Sequence, residues 1–344
     1  MERITVIGAG SWGTALAVLL ARKNLQVKMW SVEKPVVEEM NNKKTNESYL
    51  PGVIIPDSVY VCHSVEEALK KATVIVMSVP SQAFREVVQN ILPFLSGEEM
   101  IVNTAKGIEE ASLKRLSEVF YEESDKDFHR NYVALSGPSH AEEVSREIPT
   151  TVSVAGADRK ICERAQDLFM SPRFRVYTNP DIVGVEMGGA LKNVIAICTG
   201  ISDGLGFGDN TKAALMTRGL AEISRLGVAL GANPLTFAGL AGLGDLIVTC
   251  TSMHSRNRRF GIEVGKGKTV EEALKTVRMV VEGYRTTTAA YRLGKNMGVT
   301  MPITEQAYNV LYKARNTAEA VSNLMMRGKK HEIEEVVETA YPDW

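Results

Sequence analysis

The stretch Ile4-Thr5-Val6-Ile7-Gly8-Ala9-Gly10-Ser11-Trp12-Gly13-Thr14-Ala15-Leu16-Ala17 decides the fold of the first half of the chain. An apolar run typical of a buried strand leads into three glycines spaced G-x-G-x-x-G, and a helix-compatible segment follows. Gly8 allows the tight turn, Gly10 allows close approach to the backbone, and Gly13 lets the helix pack against the strand. Because the free N–H groups of that helix would face an anion, the motif predicts a dinucleotide diphosphate site. A tight turn without a ligand is the alternative interpretation.

The first half of the chain repeats this alternation of apolar runs and amphipathic segments. Strands that are apolar throughout, each followed by a helix, are typical of a parallel sheet covered on both faces. We therefore predict an α/β fold with a doubly wound sheet. The predicted strands are Ile4–Ile7, Leu25–Trp30, Val74–Val79, Met100–Thr104, Tyr132–Leu135 and Thr151–Val154, and the predicted helices include Val65–Lys71, Ala83–Leu92 and Ser112–Tyr121.

The sequence changes character near residues 180–190. From Asp181 to Leu230 it is rich in Ala, Leu, Ile and Met without period-2 alternation, which is typical of long helix. The sequence thus predicts an α/β domain at 1–183 and an all-α domain at 184–344, in line with about 150 residues per domain. Further helices are predicted at Val270–Lys275, Thr287–Asn296, Thr304–Ala314 and Thr317–Met326, with glycine-rich connectors at Gly204–Gly208, Gly239–Gly244 and Gly265–Gly267.

Composition and charge exclude several classes of protein. Hydrophobic residues make up 44% and charged residues 24% of the chain, as in globular proteins. Because 40 basic side chains are balanced by 41 acidic ones, nucleic-acid or membrane binding is excluded as the main function. Without a signal segment or a run of about 18 apolar residues, we expect a cytoplasmic protein with no membrane span. The cysteines are far apart and the histidines lack ligand-like spacing, so no metal is predicted.

The end of the second predicted strand bears on which dinucleotide binds. Glu33 lies 20 residues after Gly13, where an acidic side chain would bond the ribose 2′-hydroxyl of NAD. Lys34, next to it, would instead favour the 2′-phosphate of NADP. Glu33 as a solvated surface charge is a third interpretation. The residues leave NAD and NADP open.

Lys192 interrupts an otherwise apolar helix, Gly188-Gly189-Ala190-Leu191-Lys192-Asn193-Val194-Ile195-Ala196. A lysine is seldom fully buried without a partner, and burial lowers its pKa towards neutrality, where the side chain can carry a proton. A lysine whose charged end reaches solvent is the alternative interpretation. Gly188 and Gly189 allow another element to approach closely, which favours a functional role.

Further polar clusters are predicted to bind a phosphorylated ligand. The run Ser255-Arg256-Asn257-Arg258-Arg259 has three arginines in four residues, and a guanidinium offers a planar fork that suits phosphate. A solvated basic turn is the alternative interpretation. Lys106-Gly107 and Ser136-Gly137-Pro138-Ser139 follow two predicted strands, at the carboxyl ends where doubly wound sheets bind ligands. Nucleic acid is not expected there, because Phe260 is the one aromatic residue beside the arginines.

Taken in order, these motifs resemble the NAD(P)-dependent glycerol-3-phosphate dehydrogenases of bacterial type over nearly the whole chain. Each motif is modest, but their order and spacing together are specific. The resemblance implies an N-terminal Rossmann domain, a helical C-terminal domain of the 6-phosphogluconate dehydrogenase-like kind, and a homodimer. The motifs are Gly8-Ala-Gly-Ser-Trp-Gly13-Thr-Ala-Leu-Ala, Tyr49-Leu-Pro-Gly52, Val79-Pro80-Ser81, Lys106-Gly107, Ser136-Gly-Pro-Ser139, Leu191-Lys-Asn193, Gly242-Leu-Gly-Asp245, Ser255-Arg-Asn-Arg-Arg-Phe-Gly261 and Val281-Glu-Gly-Tyr284.

The resemblance also implies a reaction and the residues that serve it. The reaction is reversible hydride transfer between NAD(P)H and dihydroxyacetone phosphate, which gives sn-glycerol 3-phosphate for phospholipid synthesis. Lys192 would carry the proton, and Lys106 would add positive charge beside the alkoxide. The implied substrate-binding residues are Lys106, Gly137, Ser139, Lys192, Asp245, Ser255, Arg256 and Asn257, and the implied cofactor-binding residues are Gly8, Gly10, Ser11, Trp12, Gly13, Val32, Glu33, Lys106, Gly137, Ser139, Ala141, Arg256, Val280 and Glu282.

The sequence departs from the family pattern at two positions. Val32 stands two residues after Trp30, where members often carry Arg or His near the adenosine ribose, and this weakens the expectation of an NADP preference. His140 stands where Phe is frequent, and we interpret it as a neighbour of the cofactor loop and not as a catalytic residue. The charged tail from His331 to Trp344 is assigned no role.

Two other functions fit parts of the same sequence. A related dehydrogenase of the same two-domain build would act on a 2- or 3-hydroxy acid, but the Ser255–Arg259 cluster favours a small phosphorylated substrate. A non-catalytic NAD(H) sensor would need the glycine loop, but it would not need Lys106, Lys192, Asp245 and Arg256 together.

Overall fold

The computed structural model describes residues 2–329 and residue 332. Its strands form one eight-stranded sheet, in which every neighbouring pair is parallel except β6 with β7. The strands are β1 (Ile4–Ile7), β2 (Val27–Trp30), β3 (Val59–Cys62), β4 (Val74–Met77), β5 (Met100–Asn103), β6 (Tyr132–Ser136), β7 (Thr150–Gly156) and β8 (Phe174–Asn179).

Helices follow most strands and then make up the second half of the described chain. Those of the first half are α1 (Ser11–Arg22), α2 (Lys34–Asn42), α3 (Val65–Leu69), α4 (Phe84–Ile91), α5 (Leu116–Glu123), α6 (Lys126–His129), α7 (Ala141–Val144) and α8 (Arg159–Phe169). Those of the second half are α9 (Ile182–Gly204), α10 (Asp209–Ala229), α11 (Pro234–Phe237), α12 (Asp245–Thr251), α13 (Arg256–Gly265), α14 (Val270–Val277), α15 (Glu282–Asn296), α16 (Pro302–Lys313) and α17 (Thr317–Met325).

The strand order β3-β2-β1-β4-β5-β6-β7-β8 reverses direction between β1 and β4, which lie side by side. Their register pairs Ile4 with Val74 and Ile7 with Met77. Because the connections leave these two strands towards opposite sides, a crevice opens at their carboxyl ends, where doubly wound sheets bind ligands. The glycine loop that begins at Gly8 follows β1 directly at this crevice.

The sheet is apolar on both faces. In β4, Val74 and Val76 pack on one face with α1, while Ile75 and Met77 pack on the other face with Phe84. Successive side chains of a strand point to opposite faces of the sheet. When helices cover both faces, every side chain of a central strand is buried, so the strand must be apolar throughout. The predicted fold class, a doubly wound α/β domain joined to an all-α domain, is confirmed.

Three features of the sheet differ from the sequence prediction. The strand predicted at Thr151–Val154 runs antiparallel to β6, because the connection between them holds only the four-residue helix α7 in place of a full crossover helix. β3 and β8 were not predicted. Both expose alternate side chains, Tyr60 in β3 and Arg175 and Tyr177 in β8, so neither forms a continuous apolar run.

The predicted glycine-rich connectors take two forms. The segment after Gly204 separates α9 from α10, so Asp181–Leu230 is two helices and not one. Gly239–Gly244 is not an open connector, because Leu240–Gly244 coils into a single π-helical turn that continues into α12. The sheet ends at Asn179 and α9 begins at Ile182, while the division at 183/184 stays a prediction. The tail His331–Trp344 lies outside the described residues except for Glu332.

Helix α9 is the centre of the helical half, and it contacts α13 backbone to backbone. A Cβ atom on Gly200 would lie 2.2 Å from the carbonyl oxygen of Arg258, and one on Gly261 would lie 2.2 Å from that of Ile197. Neither distance leaves room for a side chain, so the two helices can approach this closely only because both positions are glycine. The contact fixes the N-terminus of α13 relative to α9.

Two segments are long and apolar enough to cross a membrane by length and composition alone, Ile182–Gly204 and Pro234–Thr251. The most apolar window of the first is 83% buried inside the protein, as in the core helix of a globular domain. The second is not one continuous α-helix, since it contains α11, the π-helical turn and α12. For Ile182–Gly204, burial against other parts of the protein explains the apolar character.

The contact between α9 and α13 can be tested with Gly200→Ala. We expect the added methyl group to force the helices apart and to lower the free energy of unfolding by about 1–3 kcal/mol, the usual cost of overpacking. Thermal unfolding measures the change. Gly328→Ala is the matched control, because none of the described residues has an atom within 4 Å of a Cβ added there. Equal melting temperatures for the two variants would contradict the proposed contact.

Candidate active site

A cavity of about 490 Å³ lies between the carboxyl edge of the sheet and the helical half of the chain. Its walls come from both halves, so neither half forms it alone. From the first half it is lined by Gly8, Ala9, Gly10, Ser11, Trp12, Trp30, Ser31, Val32, Glu33, Tyr49, Ser78, Val79, Pro80, Ala83, Val87, Thr104, Ala105, Lys106, Ser139, His140, Ala141 and Glu142, and from the second half by Lys192, Asn193, Thr249, His254, Ser255, Arg256, Asn257, Arg259, Met279, Val280 and Glu282.

Most of the predicted site residues line this cavity, and three do not. Gly13, Gly137 and Asp245 lie behind its wall, where they position residues that do line it. Sequence reasoning missed Tyr49 and Thr249 as site residues. Tyr49 was quoted as part of a motif without a role, and Thr249 lies four residues after Asp245 on one helix face, a spacing that could have indicated it.

The glycine loop has the backbone geometry of a diphosphate site. Gly8 has a φ of +108°, and a Cβ there would lie 2.5 Å from the carbonyl oxygen of Ser78. A Cβ on Gly13 would lie 2.0 Å from the carbonyl oxygen of Gly8. Nothing lies within 4 Å of a Cβ added to Gly10, so this position is open to a ligand. With α1 beginning at Ser11, its free N–H groups face the same space, which fits a bound dinucleotide.

The end of β2 presents Glu33 to the cavity. Its carboxylate accepts a hydrogen bond of 2.6 Å from the hydroxyl of Tyr49, and this bond, with burial, raises the pKa of Tyr49 to about 12. Val32 is 63% exposed beside it. Lys34 begins α2 and is absent from the residues that line the cavity. Of Glu33 and Lys34, Glu33 is the one that lines the cavity.

Asp245 joins the two lysines that the sequence singled out. Its Oδ2 atom accepts a hydrogen bond of 2.7 Å from Lys106 Nζ, and its Oδ1 atom accepts one from Lys192 Nζ. Lys192 also donates to Thr249 Oγ1 at 2.8 Å, and Lys106 donates to the carbonyl of Gly137 at 3.0 Å. The side chain of Asp245 is 1% exposed and that of Lys192 is 7% exposed. The three side chains therefore form one hydrogen-bonded unit, in which Asp245 and Lys192 are buried and Lys106 is half-buried.

Burial determines the protonation of this unit. It lowers the pKa of Lys192 to about 7, and although the Asp245 carboxylate opposes this shift, the nearby Lys106 ammonium adds to it. Burial would raise the pKa of Asp245, but the two ammonium groups outweigh it and hold that pKa below its usual value. Asp245 thus remains ionised while Lys192 can exchange a proton near neutral pH.

The glycines before Lys192 explain how Asp245 reaches it. A Cβ on Gly188 would lie 2.5 Å from the carbonyl oxygen of Ala241, and one on Gly189 would lie 2.6 Å from Ser136 Oγ. The π-helical turn that carries Asp245 and the end of β6 therefore both pack directly on the α9 backbone. The close approach predicted at Gly188 and Gly189 is present, and it brings together elements from both halves.

The basic cluster divides into residues that face the cavity and one that does not. Arg258 is removed from the predicted phosphate site, because Asp203 holds its guanidinium at 2.7 Å and the Thr251 carbonyl accepts a further bond at 3.0 Å. Ser255 caps α13 by accepting a bond of 3.2 Å from the Arg258 N–H. Arg256 lines the cavity. Burial lowers its pKa, although the carboxylates of Glu282 and Glu142 favour the charged form.

Asn257 and Glu282 connect neighbouring elements at the cavity. Asn257 accepts a hydrogen bond of 2.8 Å from the N–H of Gly283 and donates one of 2.9 Å to Asn193. Glu282 accepts from the Ser81 N–H at 3.0 Å and from the Ser81 hydroxyl, and burial raises its pKa. The Glu282 bonds span 201 residues of sequence and link the helical half to the sheet.

Two hydrogen bonds to the Gly137 carbonyl stabilise the loop after β6. The Ser139 hydroxyl donates a bond of 2.9 Å to the Gly137 carbonyl, the same carbonyl that accepts from Lys106. His140 lines the cavity directly before α7, and burial and the Lys192 ammonium both lower its pKa. Among residues 2–329, no group of three or more His, Cys, Asp or Glu side chains is arranged to hold a metal ion.

The pKa of Lys192 can be measured directly by NMR titration of its side chain, with Lys192→Met used to assign the signal. We expect a midpoint near 7 because of burial. Asp245→Asn removes the charge that favours the ammonium form, so it should move the midpoint to lower pH. A wild-type midpoint at the ordinary value of 10.5, or a midpoint that Asp245→Asn raises, would contradict this electrostatic account.

Comparison with known proteins places nearly the whole chain in one family. The family model described as the N-terminus of NAD-dependent glycerol-3-phosphate dehydrogenase matches residues 3–162, and the corresponding C-terminal model matches residues 181–322. A glycerol-3-phosphate dehydrogenase using NAD(P)⁺ from Pelotomaculum thermopropionicum is 61% identical over 334 residues, which are 97% of this chain and 96% of that protein. One from Desulfitobacterium hafniense is 56% identical over 98% of this chain and 94% of that protein.

A solved structure gives the same result. The crystal structure of glycerol-3-phosphate dehydrogenase from Coxiella burnetii superposes with a TM-score of 0.91 at 39% sequence identity, covering 95% of this chain and 99% of that one. Sequence identity and fold therefore agree over nearly the full length. A glycine loop and two lysines line one cavity, and a buried aspartate contacts both lysines from behind its wall. Together with that geometry, the comparisons show that this chain belongs to the NAD-dependent glycerol-3-phosphate dehydrogenase family.

Proposed function

We propose that this protein catalyses reversible hydride transfer between NAD(P)H and dihydroxyacetone phosphate, giving sn-glycerol 3-phosphate. The observation that carries the proposal is the Lys106–Asp245–Lys192 unit beside the cavity that the glycine loop also lines. The related proteins named above carry this activity in their names. A non-catalytic NAD(H) sensor would have no use for a buried lysine poised to exchange a proton.

Lys192 is the proton carrier in this proposal. Reduction of the ketone places negative charge on the C2 oxygen, and the Lys192 ammonium donates a proton to it. In the reverse direction the neutral amine accepts that proton from the alcohol. A pKa of about 7 keeps both forms available near neutral pH, which is the condition for effective general acid–base catalysis. The bound nicotinamide supplies or accepts the hydride.

Lys106 and Asp245 prepare the site for that transfer. The Lys106 ammonium adds positive charge where the alkoxide develops, and such preorganised charge is often a large contribution to catalysis. Asp245 contacts both ammonium groups and does not line the cavity, so we assign it to positioning. By holding both Nζ atoms it fixes their spacing and prevents their mutual repulsion from separating them.

The phosphate of the substrate is assigned to the N-terminus of α13. Arg256 offers a guanidinium there without an ion-pair partner among the described residues, next to Asn257 and the Ser255 hydroxyl. Binding energy from the phosphate, which does not react, orients the carbonyl against the reacting groups. This site favours a small phosphorylated substrate over an unphosphorylated hydroxy acid.

The organisation of the protein is also proposed from the family. We assign an NAD(P)-binding domain to 1–183 and a substrate-binding and catalytic domain to 184–344, with a homodimer as the assembly. A cytoplasmic location without a membrane span, and supply of glycerol phosphate to phospholipid synthesis, follow from the same resemblance. The position of the sheet's end at Asn179 and of α9 from Ile182 supports the boundary.

The proton-carrier role is tested with Lys192→Met, which keeps the apolar stem. We expect kcat to fall by about 10²–10⁴-fold while NADH binding stays nearly unchanged.

The pH dependence of the wild type tests the same role. Its kcat/KM for ketone reduction should fall as pH rises through about 7, because the Lys192 ammonium loses its proton, and kcat/KM for alcohol oxidation should rise over the same range. Consumption of NADH is followed by absorbance. Near-normal turnover in Lys192→Met would overturn the assignment.

We further propose that NAD is preferred over NADP, because the Glu33 carboxylate lies at the cavity and would accept bonds from ribose hydroxyls but repel a 2′-phosphate. Wild-type kcat/KM should be higher with NADH than with NADPH. Glu33→Gln removes the charge and should reduce that ratio about tenfold or more. A ratio that is the same in both proteins would refute the role of Glu33.

A further inference from the structure

Two half-buried arginines on one face of α13 lack the carboxylate partner that the half-buried Arg258 has. Arg256 and Arg259 are three residues apart on the helix, so their side chains are neighbours, and both line the cavity. Within residues 2–329, neither has a carboxylate within 4.0 Å, whereas Arg258 between them is paired with Asp203. The buried Nε atom of Arg259 has no hydrogen-bond partner in that part of the chain.

This arrangement is unfavourable without a ligand. Two guanidinium groups repel each other, and the N-terminus of α13 adds the positive end of its helix dipole beside them. A buried donor without a partner carries a further cost. Arg256 shows the effect, because burial lowers its pKa and the nearby Arg259 charge lowers it further.

Neighbouring carboxylates do not neutralise the pair. Glu282 is engaged by the N–H and hydroxyl groups of Ser81. Glu142 lies 3.9 Å from the His254 ring and makes no ion pair with either arginine. An anion with two charges, bound between the guanidinium groups and the free N–H groups of the helix, would satisfy all of these donors at once.

We propose that Arg259 is a second guanidinium ligand of a phosphoryl group bound in this cavity, acting together with Arg256. The proposal deepens the function assigned above and rests on it, since it adds a residue to the anion site of the same cavity. The phosphoryl group belongs either to the substrate or to the dinucleotide. The substrate phosphate carries up to two negative charges on one phosphorus, and the dinucleotide diphosphate carries one on each of two. Both present anionic oxygens to the two guanidinium forks.

Arg259→Met tests the proposal, because methionine keeps an apolar stem and removes the charge. Lys266→Met is the matched control, since Lys266 is an exposed cation just beyond the other end of α13. Arg256→Met is the positive comparator. Each variant is measured for KM and kcat with dihydroxyacetone phosphate, for the dissociation constant of NADH, and for thermal unfolding with and without inorganic phosphate.

We expect Arg259→Met to raise KM or the NADH dissociation constant about ten- to a hundredfold, the range for a lost charge-assisted hydrogen bond, with kcat changed much less. Its melting temperature without ligand should equal or exceed that of the wild type, and the stabilisation by phosphate should shrink. A rise in KM alone identifies the substrate phosphate, and a rise in the NADH constant alone identifies the diphosphate. Arg259→Lys should recover part of the loss, because it restores the charge.

The proposal is overturned if Arg259→Met matches Lys266→Met in KM, in NADH binding and in stabilisation by phosphate. NADH binding and thermal unfolding need no turnover. If the wild type failed to reduce dihydroxyacetone phosphate, the proposed substrate would be wrong, but these two measurements would still decide whether Arg259 binds a phosphoryl group.

Discussion

The close packing of α9 against its neighbours is the constraint on which the site depends. Glycines at 188, 189, 200 and 204 remove the side chains that would hold other backbones away. The turn that carries Asp245, the end of β6 and the start of α13 all contact this one helix. Three of these glycines face backbone carbonyl groups and Gly189 faces Ser136 Oγ, so the elements that carry the cavity groups pack closely on α9.

Because α9 is almost completely buried, its charged side chains need hydrogen-bond and ion-pair partners from other elements. Glu186 accepts bonds of 2.9 Å from Arg115 and from the Ser117 N–H, both at the start of α5. Lys192, less than two turns later, is satisfied by Asp245 and Thr249. An unpaired charge at either position would be strongly destabilising. The same helix therefore ties the two halves together with one ion pair, and with another it holds the lysine to which we assign proton transfer.

Four arginines near the two halves' interface differ in whether a carboxylate pairs with them. Arg258 and Arg115 each have a carboxylate within 2.9 Å. Arg256 and Arg259 have none among the described residues, and the pKa of Lys192 is displaced to about 7. Arginines without a carboxylate partner leave the cavity able to gain energy by binding an anion, which a site that was already neutralised could not do.

The sequence by itself determined the central strands, the glycine loop, the helical second half and the importance of Lys106, Lys192 and Arg256, because these depend on local periodicity and on motif order. The sequence did not predict the half-exposed edge strands β3 and β8, and it did not predict that β7 runs antiparallel to β6. Only the tertiary structure decided that Asp245 lies behind the cavity wall between two lysines, that Arg258 turns away to Asp203, and that Tyr49 holds Glu33. The members of these contacting pairs lie 16 to 139 residues apart in sequence. Tertiary packing brings them together, and no local sequence pattern encodes that packing.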